Sequence, residues 1–236
     1  MTAATSAMAR PGTRLHVILW CSIAIAMGVS WIHAPYPDQM YLQHIPTVAV
    51  LAAWPFAIRR FPLSNAALLC LGAFLLLHIL AARYIYSYVP YDSWTQRLFG
   101  FSITERFHFR RNHFDRVVHF CFGLLWVRPV WEICVRYLRV PRRFAYYTAW
   151  EFVLAFSMLY ELVEWGLSIA LAGPDADAYN GQQGDMWDAQ KDMSFALLGA
   201  TLALIILWVT RRHRAAIGVP PNSAAPADQK APLPGR

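Results

Sequence analysis

The chain has 236 residues, of which 57% are hydrophobic and only 15% are charged, and its formal net charge is +7. This composition is too apolar and too poor in charge for an ordinary soluble domain, and it favours one membrane domain. No nucleic-acid-binding motif accompanies the positive charge, and arginines beside apolar segments are explained first by membrane topology.

Apolar segments predict an all-α, polytopic membrane helix bundle with about six transmembrane helices, because about 20 apolar residues cross the hydrocarbon core. The predicted spans are, in chain order, 15–33, 44–58, 64–84, 113–135, 145–171 and 188–210. Pro55 predicts a kink in the second span, since neighbouring helices can satisfy the freed backbone groups. A cleaved signal peptide is an alternative for the first span, because Arg10 and Arg14 precede its apolar run.

Composition divides the chain into a cytoplasmic N-terminal tail (1–14), a six-helix transmembrane domain (15–210) and a cytoplasmic C-terminal tail (211–236). The C-terminal tail is predicted to be disordered, because it is rich in Pro, Ala and polar residues without periodicity. The four cysteines fall inside apolar spans without a CxxC spacing, so we expect core residues and not disulfides or metal ligands.

Arginine clusters predict that both ends of the chain are cytoplasmic. They lie before the first span, after the second, between the fourth and fifth, and after the sixth. The positive-inside rule places all four segments in the cytoplasm.

The connection 85–112 must then lie outside, although it also contains arginines. Either these arginines pair with nearby acids, or they attract an anionic ligand or lipid head group. The segment is rich in aromatic residues, which is typical of the membrane interface. Asp92 or Ser93 is predicted to cap a short interfacial helix that ends at Gly100.

Polar residues recur at helical spacing on three of the predicted helices. An ionisable residue inside a membrane costs about 2.5–3.5 kcal/mol on insertion scales, so each needs a partner or a function. The predicted topology places all three stripes at the outer end, where they could converge on one pocket. The stripes are Asn112, Asp115 and His119 on the fourth helix, Ser157, Glu161, Glu164 and Ser168 on the fifth, and Asp185, Asp188 and Asp192 on the sixth.

Carboxylates with imidazoles are the ligands of Zn, Mn or non-haem Fe, so the stripes predict a divalent metal site. Glu161 is the predicted general base, and Arg110, Arg111 and Arg116 are predicted to bind an anionic substrate. The predicted metal ligands are Asp115, His119, Glu164, Asp188 and Asp192. Residues predicted to support them are Asn112, His113, Asp185 and Lys191.

A structural network of ion pairs remains an alternative at this point, because each spacing is common by chance and nearby cations can neutralise part of the charge. His78, near the outer end of the third helix, is either a further ligand or a core histidine. Arg128, Glu132 and Arg136 follow at four-residue spacing near the cytoplasmic end of the fourth helix. They predict a structural salt-bridge ladder.

Three segments resemble the YjdF-like family of predicted bacterial inner-membrane proteins, and the resemblance covers about residues 15–210. They are 111–120 (RNHFDRVVHF), 160–165 (YELVEW) and 181–193 (GQQGDMWDAQKDM). The resemblance implies a multi-helix bundle in the bacterial inner membrane and no particular reaction.

The favoured function is a metal-dependent hydrolase in which a metal-activated water attacks a lipid or lipid-linked substrate. A cation- or proton-coupled transporter is an alternative. It is disfavoured because no inverted repeat is evident and the polar stripes occupy only one half of the membrane. A structural or assembly protein is the third possibility.

Overall fold

The computed structural model describes residues 13–170 and 182–216, and all regular structure within these ranges is helical. The prediction of an all-α membrane bundle is confirmed. The helices of the described ranges are α1 (Thr13–Ser30), α2 (Pro37–Arg60), α3 (Asn65–Arg83), α4 (Tyr91–Phe99), α5 (Ile103–Phe107), α6 (Phe114–Arg136), α7 (Arg142–Ala170) and α8 (Asp188–Ala216).

Five helices, α2, α3, α6, α7 and α8, are long and apolar enough to cross a membrane. Helix α1 is apolar but shorter, and its 18 residues extend about 27 Å at about 1.5 Å per residue. This is close to the hydrocarbon thickness of about 30 Å. Ile23 of α1 is fully buried against α2 and α3, so α1 is part of the bundle.

Two helix ends differ from the predicted spans. Helix α2 begins at Pro37 rather than near residue 44, since a proline in the first turn leaves no hydrogen bond unmade. Because α2 begins at Pro37, most of the predicted connection before it is helical. The helix then continues through Pro46 and Pro55. Helix α8 continues to Ala216, beyond the predicted end at 210. The rest of the predicted C-terminal tail and nearly all of the N-terminal tail lie outside the described residues, as do Asp175 and Asp177.

The core has two large parts, which α6 joins, and a small third cluster formed by Ala81, Ala82, Tyr86 and Val118. Buried residues of α1, α2 and α3 form one cluster, and those of α6, α7 and α8 form the other. Helix α6 also packs against α3. The bundle therefore has the three N-terminal helices on one side of α6, and α7 and α8 on the other.

Two glycines bring α6 and α8 very close together. A Cβ atom on Gly123 would lie 2.1 Å from the Ala196 carbonyl oxygen, and one on Gly199 would lie 2.1 Å from that of Phe120. Small residues at a crossing let membrane helices approach closely. Because His119 lies one turn before Gly123, and Asp192 one turn before Ala196, this crossing also aligns the polar ends of both helices.

The predicted interfacial helix exists, but its cap was assigned wrongly. Helix α4 ends at Gly100, as predicted, and this glycine adopts a left-handed conformation with φ of 77°. No side chain caps its start, because Pro90 precedes it and Asp92 lies inside the first turn. Asp92 instead accepts hydrogen bonds from Ser102 Oγ at 3.0 Å and from Thr104 N at 2.8 Å. It therefore ties α4 to the start of α5.

Candidate functional site

Six side chains of Asp, Glu or His are buried at the end of the bundle where α6 and α8 begin and α7 ends. None of them is more than 8% exposed. The three polar stripes therefore meet at one place in the fold. The residues are Asp115 and His119 of α6, Glu161 and Glu164 of α7, and Asp188 and Asp192 of α8.

Helix α7 contributes its carboxylates because one face of it is buried from Ala145 to Glu164. The buried residues recur every fourth position from Ala145 through Ala149, Val153 and Ser157 to Glu161. This spacing keeps them on one side of a helix. The same face is apolar where it packs into the core and becomes polar at Ser157, at the depth of His119.

His119 lies between α6 and α7 and contacts both. Its Nε2 atom is 3.6 Å from Asp115 Oδ1 and 3.4 Å from Glu161 Oε1. Its Nδ1 atom is 3.4 Å from the hydroxyl oxygen of Ser157. The imidazole therefore has a carboxylate from each helix near Nε2 and the Ser157 hydroxyl within hydrogen-bonding distance of Nδ1.

The geometry of one trio of residues, Asp115, His119 and Asp192, is compatible with three ligands of one metal ion. One ligand atom from each lies within 4.8 Å of the other two, and all three residues are buried. Bonds of about 2.0–2.2 Å to a tetrahedral ion separate ligand atoms by about 3.4 Å. Small side-chain rotations would bring the three ligand atoms, now within 4.8 Å of one another, to this shorter separation.

Three buried carboxylate oxygens near His119 have no hydrogen-bond partner among the described residues. They are Asp115 Oδ1, Glu161 Oε1 and Asp192 Oδ1. A buried polar atom without a partner is costly, so such atoms call for an explanation. Glu164 adds a fourth carboxyl group, close enough to those of Asp115, Glu161 and Asp192 to interact with them electrostatically. Asp115, His119, Glu161, Glu164 and Asp192 are called the carboxylate/His cluster below.

Asp188, a predicted metal ligand, lies beside this cluster and is held by arginines. It forms an ion pair with Arg111, which also donates to the Gln182 carbonyl at 2.5 Å. Arg116 is 3.5 Å from Asp188 and 2.6 Å from Asp185. The structure therefore places Asp188 in ion pairs and outside the Asp115, His119 and Asp192 trio.

Asp185 is paired at the edge of the cluster. Lys191 donates to it at 2.6 Å, and Arg116 contacts the same carboxylate. The hydrogen bond from Lys191, assisted by those from the Trp187 backbone and Arg116, holds the pKa of Asp185 well below its usual range. Asp185 and Lys191 therefore act together to fix the start of α8.

Asn112 and His113 organise the start of α6 and do not contact the trio. Asn112 donates from Nδ2 to the Val89 carbonyl at 2.8 Å and accepts from the Phe114 amide at 2.9 Å. His113 Nε2 lies 3.2 Å from Arg116. Burial, together with the charges of Arg116 and Arg111, lowers the pKa of His113.

The predicted substrate-binding arginines have different environments. Arg111 and Arg116 are engaged by acids, as described above. Arg110 is exposed and makes no ion pair with any residue in the described part of the chain. Arg110 is therefore the arginine that remains available for an anionic partner.

The second charged stripe is only partly a ladder. Glu132 forms the predicted ion pair with Arg136 and also accepts from the backbone N and the hydroxyl of Ser64, both at 2.6 Å. Arg128 forms no ion pair within the described ranges, so the prediction was wrong for it. The backbone N–H and the hydroxyl of Ser64, at the start of α3, donate to Glu132 in place of the predicted Arg128.

Sequence reasoning missed the two glycines that set the α6 and α8 crossing. The available signal was a row of small residues on α8, formed by Ala196, Gly199, Ala200 and Ala203. His78, which the sequence left open, hydrogen-bonds to the Tyr86 hydroxyl and lies outside the cluster.

Comparisons with known proteins point to one family. Residues 15–213 match a family described as predicted membrane protein (DUF2238). The chain is 33% identical over 163 residues to the inner membrane protein YjdF of Escherichia coli (strain K12), which covers 69% of this chain and 74% of that protein. No solved structure matches the chain significantly.

Proposed function

We propose that this chain, which belongs to the DUF2238 family of predicted membrane proteins, is a metal-dependent membrane hydrolase acting on a lipid or lipid-linked substrate. The supporting observation is the group of buried carboxylate oxygens without hydrogen-bond partners in the described ranges, which surrounds His119. A divalent cation satisfies such oxygens and balances their charge.

Asp115, His119 and Asp192 would hold the ion, which is Zn, Mn or Fe by the nature of its ligands. Glu164 is near enough to complete the site, and Asp188 keeps the arginines in place beside it. A bound divalent ion lowers the pKa of a water ligand to about 7. Glu161, 3.4 Å from His119, would be the general base for the water that attacks the substrate. Arg110 provides a positive charge for an anionic head group.

A purely structural network is the competing function, because Arg111 with Asp188, and Arg116 with Asp185, already form ion pairs. A transporter is less well supported. The carboxylate/His cluster lies at one end of α6, α7 and α8, and the hydrophobic cluster that these helices share beyond it is apolar.

We also propose that the protein lies in a bacterial inner membrane with both termini in the cytoplasm and the carboxylate/His cluster at the outer side. The similarity to an inner membrane protein supports the location. The end opposite the cluster contains Arg14 at the start of α1, Arg59 and Arg60 at the end of α2, and Arg139 between α6 and α7, which supports the orientation.

Metal content measured by elemental analysis tests the proposed function. The full-length protein, purified in detergent without chelator, should contain metal, and so should the Glu105→Gln control, which changes an exposed acid on α5. His119→Ala and Asp192→Asn should lose most of the metal and remain folded. Glu161→Gln should retain metal but fail to hydrolyse ester and phosphoester lipids. If the wild type is metal-free and either ligand substitution unfolds the protein, the structural network is established instead.

A further inference from the structure

A cavity of about 290 Å³ lies next to the carboxylate/His cluster, between α2, α3, α6 and α7. Its walls are mainly apolar side chains, and His119 and Ser157 line it as well. The volume is near the lower end of the range of about 300–1,000 Å³ that is usual for small-molecule sites. The principal apolar lining residues are Val50, Leu75, Phe122, Trp126, Phe152 and Phe156.

The cavity extends from the cluster towards the middle of the bilayer. On α6 it is lined from His119 to Trp126, and on α7 from Tyr160 to Phe152. At about 1.5 Å per residue these segments are about 10–12 Å long. One end of the cavity therefore lies at the depth of the cluster, and the other end lies about two helical turns deeper.

The cavity separates two helices whose main contacts are elsewhere. Helix α2 packs against α1 and α3, and α7 packs against α6 and α8, while both line the cavity. Phe156 of α7 lines the cavity and is also 50% exposed. The cavity is therefore not fully closed on the side between α2 and α7.

Thr47, His78 and Trp126 also line the cavity, and each has a buried polar atom without a hydrogen-bond partner among the described residues, but most of the lining surface is apolar. Most of this space is therefore a poor site for water, which needs two to four polar partners. Hydrocarbon chains are the apolar molecules that surround membrane-spanning helices. We infer that the cavity holds one hydrocarbon chain of the lipid substrate, which enters sideways between α2 and α7 and brings the polar group of the lipid to the carboxylate/His cluster. The inference rests on the proposed function and narrows the substrate to lipids whose hydrocarbon chain fits this cavity.

Photolabelling of the full-length protein tests this inference. The protein is reconstituted in vesicles of phosphatidylethanolamine and phosphatidylglycerol that contain phosphatidylglycerol with a diazirine in the middle of one acyl chain. After irradiation, mass spectrometry should find label at Phe122 and Trp126 of α6. Val50→Trp fills the cavity and should abolish this label. Val48→Trp is the matched control, because Val48 is 53% exposed and is not among the lining residues.

Size-exclusion chromatography establishes that each variant is folded. A second pair of variants, Val50→Phe and Val48→Phe, repeats the comparison of filled and control positions with a smaller aromatic ring. Label at Phe122 and Trp126 that persists in the Val50 variants, or is missing from wild type, overturns the inference.

Metal content is measured on the same samples. Metal-containing wild type without label overturns only the chain site. Labelled but metal-free wild type supports the chain site and overturns the proposed hydrolase.

Discussion

At the scale of single residues, the charges where α6 meets α8 fall into two groups. Arg111 with Asp188, and Arg116 with Asp185, are ion-paired. Asp115, Glu161 and Asp192 each have a buried oxygen that accepts no hydrogen bond from a described residue, although Arg116 Nε lies 3.8 Å from Asp192 Oδ1. Helical spacing in the sequence marked both groups as polar stripes, but it could not tell which carboxylate oxygens find a hydrogen-bond donor.

Arg111→Met is expected to destabilise the protein by about 3–5 kcal/mol, because it removes the ion-pair partner of a buried carboxylate. The double variant Arg111→Met with Asp188→Leu should recover most of that loss, since apolar side chains can replace a buried ion pair at little cost. Denaturant unfolding in detergent measures both free energies. Arg110→Met, at an exposed position, is the control and should change little. Equal losses in the single and double variants would contradict the expectation.

At the scale of helices, the spans follow from local hydropathy, and their register follows from packing. The predicted span 64–84 corresponds to Asn65–Arg83, and 113–135 to Phe114–Arg136. Helix α2 was predicted too short, because the polar residues in its first turns hid its beginning. Contact between α6 and α8 depends on glycines, and these have no hydropathy signal of their own.

Gly199→Ala is expected to destabilise the bundle by about 1–3 kcal/mol, the usual cost of overpacking. The added Cβ would lie 2.1 Å from the Phe120 carbonyl oxygen, so α6 and α8 must separate. The separation moves His119 from Asp192, and metal content should fall with stability. Gly28→Ala on α1 is the control, because nothing lies within 4 Å of its Cβ position. Thermal unfolding and elemental analysis measure the two effects, and identical behaviour of the two variants would refute the role of the crossing.

At the scale of the whole molecule, the bundle has two chemically different ends. One contains the carboxylate/His cluster, Arg111 and Arg116 in ion pairs, and the short helices α4 and α5. The other contains the arginines at the start of α1, at the end of α2 and between α6 and α7. This asymmetry is the basis of the proposed orientation. It would place the cluster where a substrate of the outer leaflet can reach it.

Fusions to alkaline phosphatase, which is active only outside the cytoplasm, test this orientation. A fusion after Gly100, in the connection between α4 and α5, should be active. A fusion after Arg214 should be inactive, because the end of α8 lies on the opposite side of the membrane. Immunoblots control for expression. High activity after Arg214 with none after Gly100 would reverse the topology and place the cluster at the cytoplasmic side.

The membrane class, most helix positions and the three polar stripes could be predicted from the amino-acid sequence, because each depends on residues within one or two helical turns. Pairing of Arg111 with Asp188, proximity of His119 to Glu161 and the cavity beside them could not. These features join residues far apart in the chain and depend on how each helix is rotated and how closely it approaches its neighbours. The close contact of Gly123 and Gly199 with the facing backbones sets that approach for α6 and α8, and such shape complementarity exists only in the packed bundle.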